Sequence, residues 1–278
     1  MQKNKFQNIA GGGKPKASSE LERVPESERV LESEDALMLD RAEEREEAPQ
    51  LRETPDGLAL VSGDQMIRAD FSGMLRRVQP NNLNRELIVK ASRFKKADPN
   101  RQLTAIDATA GLGEDSLLLA AAGFRVTMFE KDPMIAALLD DGLHRAAADS
   151  RLAEIAARME LIRGDSIRYL KALAAAQAAA SPAGKPGASE NAGLRPDLIL
   201  LDPMFPERTK SGLVKKKFQM IHLLEQPCED EEELLEAAIA ACPRKIVIKR
   251  PLKGPYLGGR KPGYSLKGKK IRCDCIVL

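Results

Sequence analysis

The sequence has few cysteines and no long hydrophobic run. Its four cysteines, at positions 228, 242, 273 and 275, fit no metal-ligand spacing and no disulfide framework, so we expect packed or surface thiols and no metal site. No apolar stretch is long enough to cross a bilayer, and the first residues do not have the pattern of a signal peptide. These absences argue against a disulfide-rich secreted protein and against an integral membrane protein. They predict a cytoplasmic protein without a membrane partner.

Acidic residues are missing between Arg244 and Arg272, a segment that holds 11 basic residues. The opposite bias lies near the start, where residues 20–47 contain 12 acidic and 4 basic residues. A run of one sign close to a candidate site indicates an anionic partner, with nucleic acid as the first choice. A basic tail without a partner is the alternative.

Changes of composition along the chain divide it into three regions. Residues 1–50 are Glu-rich and poor in aromatic side chains, so we expect a disordered acidic tail. Residues 51–98 are interpreted as a small N-terminal β-rich subdomain. Its patterns are two strands and a helix, at 58–61, 66–69 and 84–91. Residues 99–278 form the main domain, interrupted by a low-complexity connection at 181–193.

The main domain alternates between strand and helix patterns. Strands are predicted at 103–106, 125–129, 159–163, 198–201, 245–248 and 271–278. Helices are predicted at 116–122, 133–147, 167–180 and 231–241. Such alternation predicts an α/β, Rossmann-like fold, with a mainly parallel twisted sheet, helices on both faces and an antiparallel last strand. Ligands in such folds bind at the carboxyl ends of the strands.

The first strand of the main domain ends in a glycine-rich turn that opens a helix. Asp107 follows the apolar run, and Gly111 and Gly113 let a ligand approach the backbone closely. The third glycine of the dinucleotide motif G-x-G-x-x-G is missing, and Glu114 and Asp115 would repel a pyrophosphate. These acids suit a cofactor with an ammonium and a sulfonium, such as S-adenosylmethionine, or they only complement the helix dipole.

The next two strands also end in polar residues. Glu130 ends the second strand, where an acid accepts hydrogen bonds from the ribose hydroxyls of an adenosine, and Lys131 borders the adenine site. Asp165 and Ser166 follow the third strand and are placed to meet the adenine ring, or either caps the next helix. These positions predict an adenosine-containing cofactor and leave NAD and S-adenosylmethionine both open.

The fourth strand ends in Asp202-Pro203-Met204-Phe205. With Met204 in place of the second proline, this has the form of the [Asp/Asn/Ser]-Pro-Pro-[Tyr/Phe] motif of methyltransferases that act on exocyclic amines of bases. Such an amine is a poor nucleophile because it is conjugated with its ring. Asp202 and the Pro203 carbonyl can accept its two N–H groups and turn the nitrogen lone pair toward a methyl group, while Phe205 stacks on the extruded base. The motif favours S-adenosylmethionine over NAD, and a buried strand end with a proline turn is the structural alternative.

Four segments together resemble one known family, the bacterial 16S ribosomal RNA guanine-N2 methyltransferases (RsmJ). The segments are DATAGLG at 107–113, AALLDDGL at 136–143, LDPMFP at 201–206 and VIKRP at 247–251. The resemblance implies a class I methyltransferase fold, S-adenosylmethionine as cofactor, and a guanine of 16S rRNA in the small ribosomal subunit as target. The cofactor residues that it implies are Glu114, Asp115, Glu130, Lys131, Asp165, Ser166 and Asp202. The family pattern has Arg, Arg and Ser where this chain has Glu114, Lys131 and Asp165.

Basic residues near the candidate site then become candidates for contacts to RNA phosphates, which give affinity more than sequence choice. They are Arg208, Lys210, Lys215, Lys216, Lys249 and Arg250. His144 and His222 fall on predicted helices, so no separate general base is evident.

The resulting hypothesis is methyl transfer from S-adenosylmethionine to the N2 amine of a 16S rRNA guanine. One alternative within the same class is methylation of an adenine or cytosine amino group in RNA or DNA. Another is a non-catalytic RNA-binding protein that retains the fold. An NAD-dependent oxidoreductase is a third, and the motif at 202–205 argues against it.

Overall fold

The computed structural model describes residues 48–95, 98, 100–180, 195–203 and 230–278. Nearly all of the expected acidic tail and the whole 181–193 connection lie outside these residues. Within the described residues, no helix is both long enough and apolar enough to cross a membrane.

The first described elements form a three-stranded antiparallel sheet. Its strands are β1 (Gln50–Thr54), β2 (Gly57–Ser62) and β3 (Gln65–Ile67), in the spatial order β1-β2-β3. The strands predicted at 58–61 and 66–69 are confirmed as β2 and β3, although β3 ends before Ala69. β1 has no counterpart among the predicted strands, because most of its side chains are exposed and it lacks a buried alternation.

A turn of 3-10 helix (Ser72–Met74) and three short helices connect this sheet to the main one. They are α1 (Leu75–Val78), α2 (Pro80–Leu83) and α3 (Leu87–Ser92). The helix predicted at 84–91 begins only at Leu87, because Glu86 before it has extended backbone angles. The division of residues 51–98 into a subdomain of their own stays a prediction.

The main sheet has seven strands. They are β4 (Thr104–Asp107), β5 (Arg125–Glu130), β6 (Met159–Arg163), β7 (Leu198–Leu201), β8 (Lys245–Pro251), β9 (Tyr264–Lys267) and β10 (Ile271–Val277). Their spatial order is β6-β5-β4-β7-β8-β10-β9. The first five strands along this order are parallel, and β10 is antiparallel to both neighbours, as predicted. β9 has no predicted counterpart.

Helices cover both faces of this sheet, as predicted. They include α4 (Glu114–Ala121), α5 (Pro133–Ala148), α6 (Ala153–Ala156), α7 (Ser166–Ala180) and α8 (Glu231–Ala240). Successive strand residues face opposite ways, so Leu198 and Leu200 join one core with α3 and α4. Ile199 and Leu201 join a second core with α7 and α8. The expected α/β architecture is therefore confirmed.

The small sheet packs against α5. The Leu58 amide donates to Asp141 Oδ2 at 3.1 Å, and Arg145 Nη2 donates to the Ala69 carbonyl at 2.5 Å. These bonds fix the segment that leads to Phe71, a buried residue in the core beside α4. The small sheet thus positions a residue that supports the glycine-rich turn.

Asp197 ties together the opposite edge of the sheet, where the parallel strands begin. Its Oδ2 accepts the Thr104 amide at 3.0 Å, and its Oδ1 accepts Arg101 and Arg244 at 2.6 and 3.0 Å. Burial of this carboxyl favours its neutral form, but the hydrogen bonds from Thr104, Arg101 and Arg244 outweigh burial and lower its pKa. A charged, buried clamp therefore joins the starts of β4, β7 and β8.

Candidate active site

Polar residues meet at the carboxyl edge of the sheet. Along the strand order they are Asp165, Glu130, Asp107, Asp202 and Lys249. The chain leaves β4 toward β5 on one side and returns to β7 on the other, so the topological switch point lies between β4 and β7. Across this point, the Asp202 amide donates to Thr109 Oγ1 at 2.6 Å. The sheet therefore gathers the predicted residues at the position where α/β folds bind ligands.

The two glycines of the first turn have left-handed φ angles, 53° at Gly111 and 76° at Gly113. A Cβ atom at Gly113 would lie 2.6 Å from Leu139 Cδ1 and 3.1 Å from Phe71 Cζ, so packing requires this glycine. A Cβ atom at Gly111 would have no described neighbour within 4 Å. Among the described residues, the space beside Gly111 at the switch point is therefore open, and a ligand can approach its backbone there.

Asp107 is buried behind the turn. Its Oδ1 accepts the Thr109 amide at 3.1 Å, and its Oδ2 accepts the Ser116 hydroxyl at 2.6 Å. Burial raises the pKa of this carboxyl to about 7, although both hydrogen bonds oppose the rise. Asp107 thus supports the turn from inside, and its contact with a cofactor stays a prediction.

Glu130 is buried on the other side of the turn. Its Oε2 accepts the Gly111 amide at 2.9 Å, and its Oε1 accepts the Asp132 amide at 2.8 Å. Burial raises the pKa of Glu130, while these backbone donors limit the rise. A carboxylate has about four acceptor sites, so Glu130 keeps acceptor capacity for a ligand hydroxyl. Lys131, which follows it, is exposed.

Asp165 and Ser166 lie at the start of α7. Asp165 Oδ1 accepts the Ile167 amide at 2.9 Å, so the capping role that the sequence left open is present. Asp165 is otherwise exposed, whereas Ser166 is buried. Their contact with an adenine ring stays a prediction.

An ammonium between two carboxylates lies at the centre of the edge. Lys249 Nζ is 2.6 Å from Asp115 Oδ2 and 2.8 Å from Asp202 Oδ2. Burial disfavours the charge on Lys249, but the two carboxylates outweigh burial and raise its pKa. Burial raises the pKa of Asp202, the Lys249 charge opposes that rise, and the Asp115 charge adds to it. Lys249 therefore couples the first helical turn of α4 to the end of β7.

Comparison with known proteins identifies the family. A family model described as a putative SAM-dependent methyltransferase matches residues 34–277. The ribosomal RNA small subunit methyltransferase J of Thioalkalivibrio sulfidiphilus is 41% identical over 224 residues, which cover 79% of this chain and 80% of that protein. The chain belongs to the ribosomal RNA small subunit methyltransferase J family. A protein of the same name from Stutzerimonas stutzeri is 40% identical, over 75% of this chain and 73% of its own length.

Family membership and the fold agree. The solved structure of a SAM-dependent methyltransferase from Neisseria gonorrhoeae has a TM-score of 0.61 and 30% identity, with 84% of each chain covered. The chain is thus an S-adenosylmethionine-dependent methyltransferase with a Rossmann-like class I fold, as predicted. The NAD-dependent oxidoreductase is excluded.

The donor set at the carboxyl edge fits S-adenosylmethionine. Asp115 and Asp202 share a single lysine, so the three groups keep a net negative charge that favours a cationic ligand. Gly111 leaves open space at its backbone, and Glu130 presents acceptors for hydroxyl groups beside it. Charge, space and acceptors therefore agree with the cofactor of this methyltransferase family.

Arg77 is a residue near the site that sequence reasoning did not single out for a role there. It contacts Glu86 through two hydrogen bonds of 2.9 Å and lies 3.7 Å from Glu114 Oε2. These contacts bring the α1–α3 segment to the cofactor turn. Its signal in the sequence is the basic composition of 76–96, where Glu86 is the single acidic residue.

The basic run at 244–272 divides into buried and exposed members. Lys245 donates to the carbonyls of Ala91 and Arg93, and Arg250 is buried against Glu231, with Nη1 to Oε1 at 2.9 Å. Buried Arg272 donates to the carbonyls of several residues at 251–255. These three cations organise the interior around β8 and are buried.

Pro203 is buried beside Asp202. The remaining predicted residues of the catalytic loop and its basic continuation lie outside the described residues: Phe205, Arg208, Lys210, Lys215 and Lys216. Among the described cysteines, Cys273 and Cys275 are buried and Cys242 is exposed, as free thiols. The described part of the chain contains no cluster of His, Cys, Asp and Glu that could hold a metal.

Proposed function

We propose that this methyltransferase transfers a methyl group to the exocyclic N2 amine of a guanine in 16S rRNA. The observation that carries the proposal is the Asp202 carboxylate, held by Lys249 at the switch point and followed by Pro203. The relatives are named as ribosomal RNA small subunit methyltransferases, which supports an rRNA substrate for this chain. Such a reaction belongs in the cytoplasm, where ribosomal subunits are made.

The cofactor residues are assigned by their places along the edge. Glu114 and Asp115 hold the cationic methionine end, because they begin α4 beside the open backbone of Gly111. Glu130 accepts the ribose hydroxyls, and Lys131, Asp165 and Ser166 surround the adenine. Asp107 and Gly113 stabilise the conformation of the glycine-rich turn from its buried side. S-adenosylmethionine supplies the activated methyl group.

Asp202 and the Pro203 carbonyl orient the target amine. Together they accept its two N–H groups, so that the nitrogen lone pair points at the methyl carbon. As the new N–C bond forms, the bond between the methyl carbon and the sulfonium sulfur would break and leave a neutral thioether, while the amine nitrogen becomes positive and loses one proton to Asp202. Burial raises the pKa of Asp202, which makes this carboxylate a better proton acceptor. Phe205 stacks on the guanine once it leaves its neighbours.

Lys249 is assigned to positioning and not to RNA phosphate. Its ammonium already contacts both Asp115 and Asp202, so it fixes the direction of the Asp202 carboxylate. Arg250 is left out of the RNA surface because its guanidinium is buried. Arg208, Lys210, Lys215 and Lys216 remain proposed contacts to phosphate next to the catalytic motif.

The test is methylation of 16S rRNA and of small ribosomal subunits with labelled S-adenosylmethionine, followed by mapping of the modified base. We expect label on N2 of one guanine. Asp202→Ala should reduce the rate by about a thousandfold, because both orientation and proton acceptance are lost. Calorimetry should still detect cofactor binding by this variant.

Asp149→Ala is the matched control, since Asp149 follows the end of α5 and its carboxylate contacts the exposed Arg151, only two residues away. It should keep the wild-type rate. Label on an adenine or cytosine amine would replace the proposed target. Binding of RNA by a wild-type protein that does not bind S-adenosylmethionine would favour a protein that only binds RNA.

A further inference from the structure

Two basic segments far apart in the sequence lie at the same edge of the molecule. The first follows the small sheet and contains Arg76 and Arg85, which are exposed. The second is the turn between β9 and β10 and contains Lys267, Lys269 and Lys270, which are also exposed. We name these five residues the basic rim.

The β9–β10 turn lies beyond the carboxyl end of β8. β10 is antiparallel to β8, and its first residue, Ile271, pairs with Pro251 at the end of β8. The Leu252 amide donates to the Lys270 carbonyl at 3.1 Å, which holds the turn against the residues after β8. Since Lys249 lies two residues before Pro251, the turn lies on the same edge as the active site.

The direction of α3 brings the first segment to that edge as well. Lys245, the first residue of β8, donates to the Ala91 and Arg93 carbonyls at 3.0 and 2.5 Å. The other end of α3 contacts the turn, because a Cβ atom at Gly268 would lie 3.2 Å from Leu87 Cδ2. α3 therefore runs opposite to β8, and Arg85 lies at its active-site end.

Within the described part of the chain, no carboxylate neutralises the positive charges of the rim. Glu86, the single acidic residue between 72 and 95, is already bound by Arg77 through both carboxylate oxygens. The 244–272 segment has no acidic residue at all. None of the five rim residues forms an ion pair with another described residue at 4.0 Å or less, and all five are exposed. Among the described residues, an anion would therefore meet no competing carboxylate at the rim.

We infer that the basic rim binds the RNA phosphate backbone and holds the substrate strand over Asp202 and Lys249. The inference rests on the proposed function. The rim has five charges on two segments of one edge, which suits a chain of phosphates more than a single anion. Exposed lysines and arginines contribute affinity without reading sequence. The guanine enters the site while the rim holds nucleotides beside it.

Charge reversal at the turn tests this inference. Lys269→Glu/Lys270→Glu should raise KM for 16S rRNA or small subunits by about tenfold and reduce the slope of log affinity against log salt concentration by about 1 to 2. Its kcat and cofactor binding should stay at wild-type values, because the reacting groups are untouched. Lys269→Gln/Lys270→Gln should give an intermediate KM, and Arg85→Glu should raise KM independently.

The matched control is Lys95→Glu/Arg125→Glu. Both residues are exposed, but Arg125 begins β5 and Lys95 follows the end of α3 beside Lys245, so both lie at the opposite edge. This variant should change KM by less than about twofold. Equal KM values for the rim and control variants, with an active wild-type enzyme, would overturn the inference alone. A wild-type enzyme that neither binds nor methylates rRNA would overturn the proposed function and the inference together.

Discussion

A single lysine decides the charge of the active site. Lys249 is the cation that contacts both Asp115 and Asp202, and its side chain is only 26% exposed. Without it, two carboxylates would face each other at the switch point, and the pKa of Asp202 would rise further. With it, the Lys249 charge opposes that rise and fixes the direction of the Asp202 carboxylate. The lysine therefore matters for catalysis without being placed to touch the methyl group.

Replacement of Lys249 by methionine should slow methyl transfer by about a hundredfold, because the chain length is kept while the charge that orients Asp202 is lost. The pKa of Asp202 should rise further, since the charge that opposes its rise is removed. Transfer that needs ionised Asp202 is lost as pH falls, so the acid limb of the kcat profile should move to higher pH. Labelled methyl transfer to small subunits between pH 5 and 9 measures both effects.

Lys171→Met provides the control, because Lys171 is an exposed residue paired with Glu233 on α8. It should keep the wild-type rate and profile. Lys249→Arg should recover part of the rate, since it restores the charge with a different shape. A Lys249→Met enzyme with a wild-type pH profile would contradict the positioning role.

At the scale of elements, the two glycines of the glycine-rich turn have different roles, one in core packing and one in ligand binding. Gly113 faces Leu139 and Phe71, and Gly111 faces open space, although both have left-handed φ angles. A motif-based description treats the two glycines as equivalent. The structure assigns one to the core under α4 and the other to the surface of the site.

Alanine substitutions should separate these two roles. Gly113→Ala should lower the free energy of unfolding by about 2 to 4 kcal/mol, because a crowded methyl group adds to the left-handed strain. Gly111→Ala should cost only about 1 to 2 kcal/mol, from strain alone, and should weaken binding of S-adenosylmethionine because its methyl group enters the ligand space. Urea unfolding and calorimetry with the cofactor measure the two quantities. Equal losses of stability in both variants would contradict the assignment.

The elements that the sequence predicts well have strong local signals. β6 and β7 match their predicted bounds, and α5 and α7 match within one residue, because apolar periodicity, Pro133 and flanking glycines mark them. β9 is not predicted from the sequence, because its four residues, YSLK, form a short and partly exposed strand that depends on pairing with β10. Residue types therefore predict a strand less well when its formation depends on pairing with another strand of the fold.

The residues of the candidate site also differ in how well the sequence predicts them. Asp107, Glu130 and Asp202 are predictable because each ends a strand in a recognisable pattern. The Lys249–Asp115 pair joins residues 134 positions apart, and no local pattern records such a contact. The composition of 244–272 predicts one charged surface, but Lys245, Arg250 and Arg272 are buried. Their partners are carbonyls and acids brought near by the sheet, which composition does not reveal.

At the scale of the whole molecule, the two edges of the sheet have opposite electrostatics. At the carboxyl edge, burial raises the pKa of Asp107 and Asp202, so ionising these carboxyls costs folding free energy. At the amino edge, hydrogen bonds to Asp197 lower its pKa in spite of burial, so its charge stabilises the fold. The carboxyl group that stabilises the fold and the carboxyl groups of the candidate site thus lie at opposite ends of the same sheet.

This separation predicts that Asp197→Asn damages stability without damaging catalysis. The substitution leaves Arg101 and Arg244 without a carboxylate and should lower the free energy of unfolding at pH 7 by about 2 to 4 kcal/mol. A carboxyl with a lowered pKa contributes stability above its unfolded value of 3.8 and loses it as pH falls through the folded value. The difference between wild type and variant should therefore be largest near neutral pH and shrink below pH 4. Urea unfolding across this range measures it.

Methyl transfer at a temperature where both proteins are folded completes the test, and kcat should be unchanged because Asp197 lies at the edge remote from Lys249. Asp149→Asn is the comparison, since Asp149 also has a lowered pKa but its partner Arg151 is exposed, so solvent screens the pair. It should change stability little at any pH. A fall in kcat for Asp197→Asn as large as the fall for Lys249→Met would mean that the two edges are coupled, and the clamp would then belong to the catalytic apparatus.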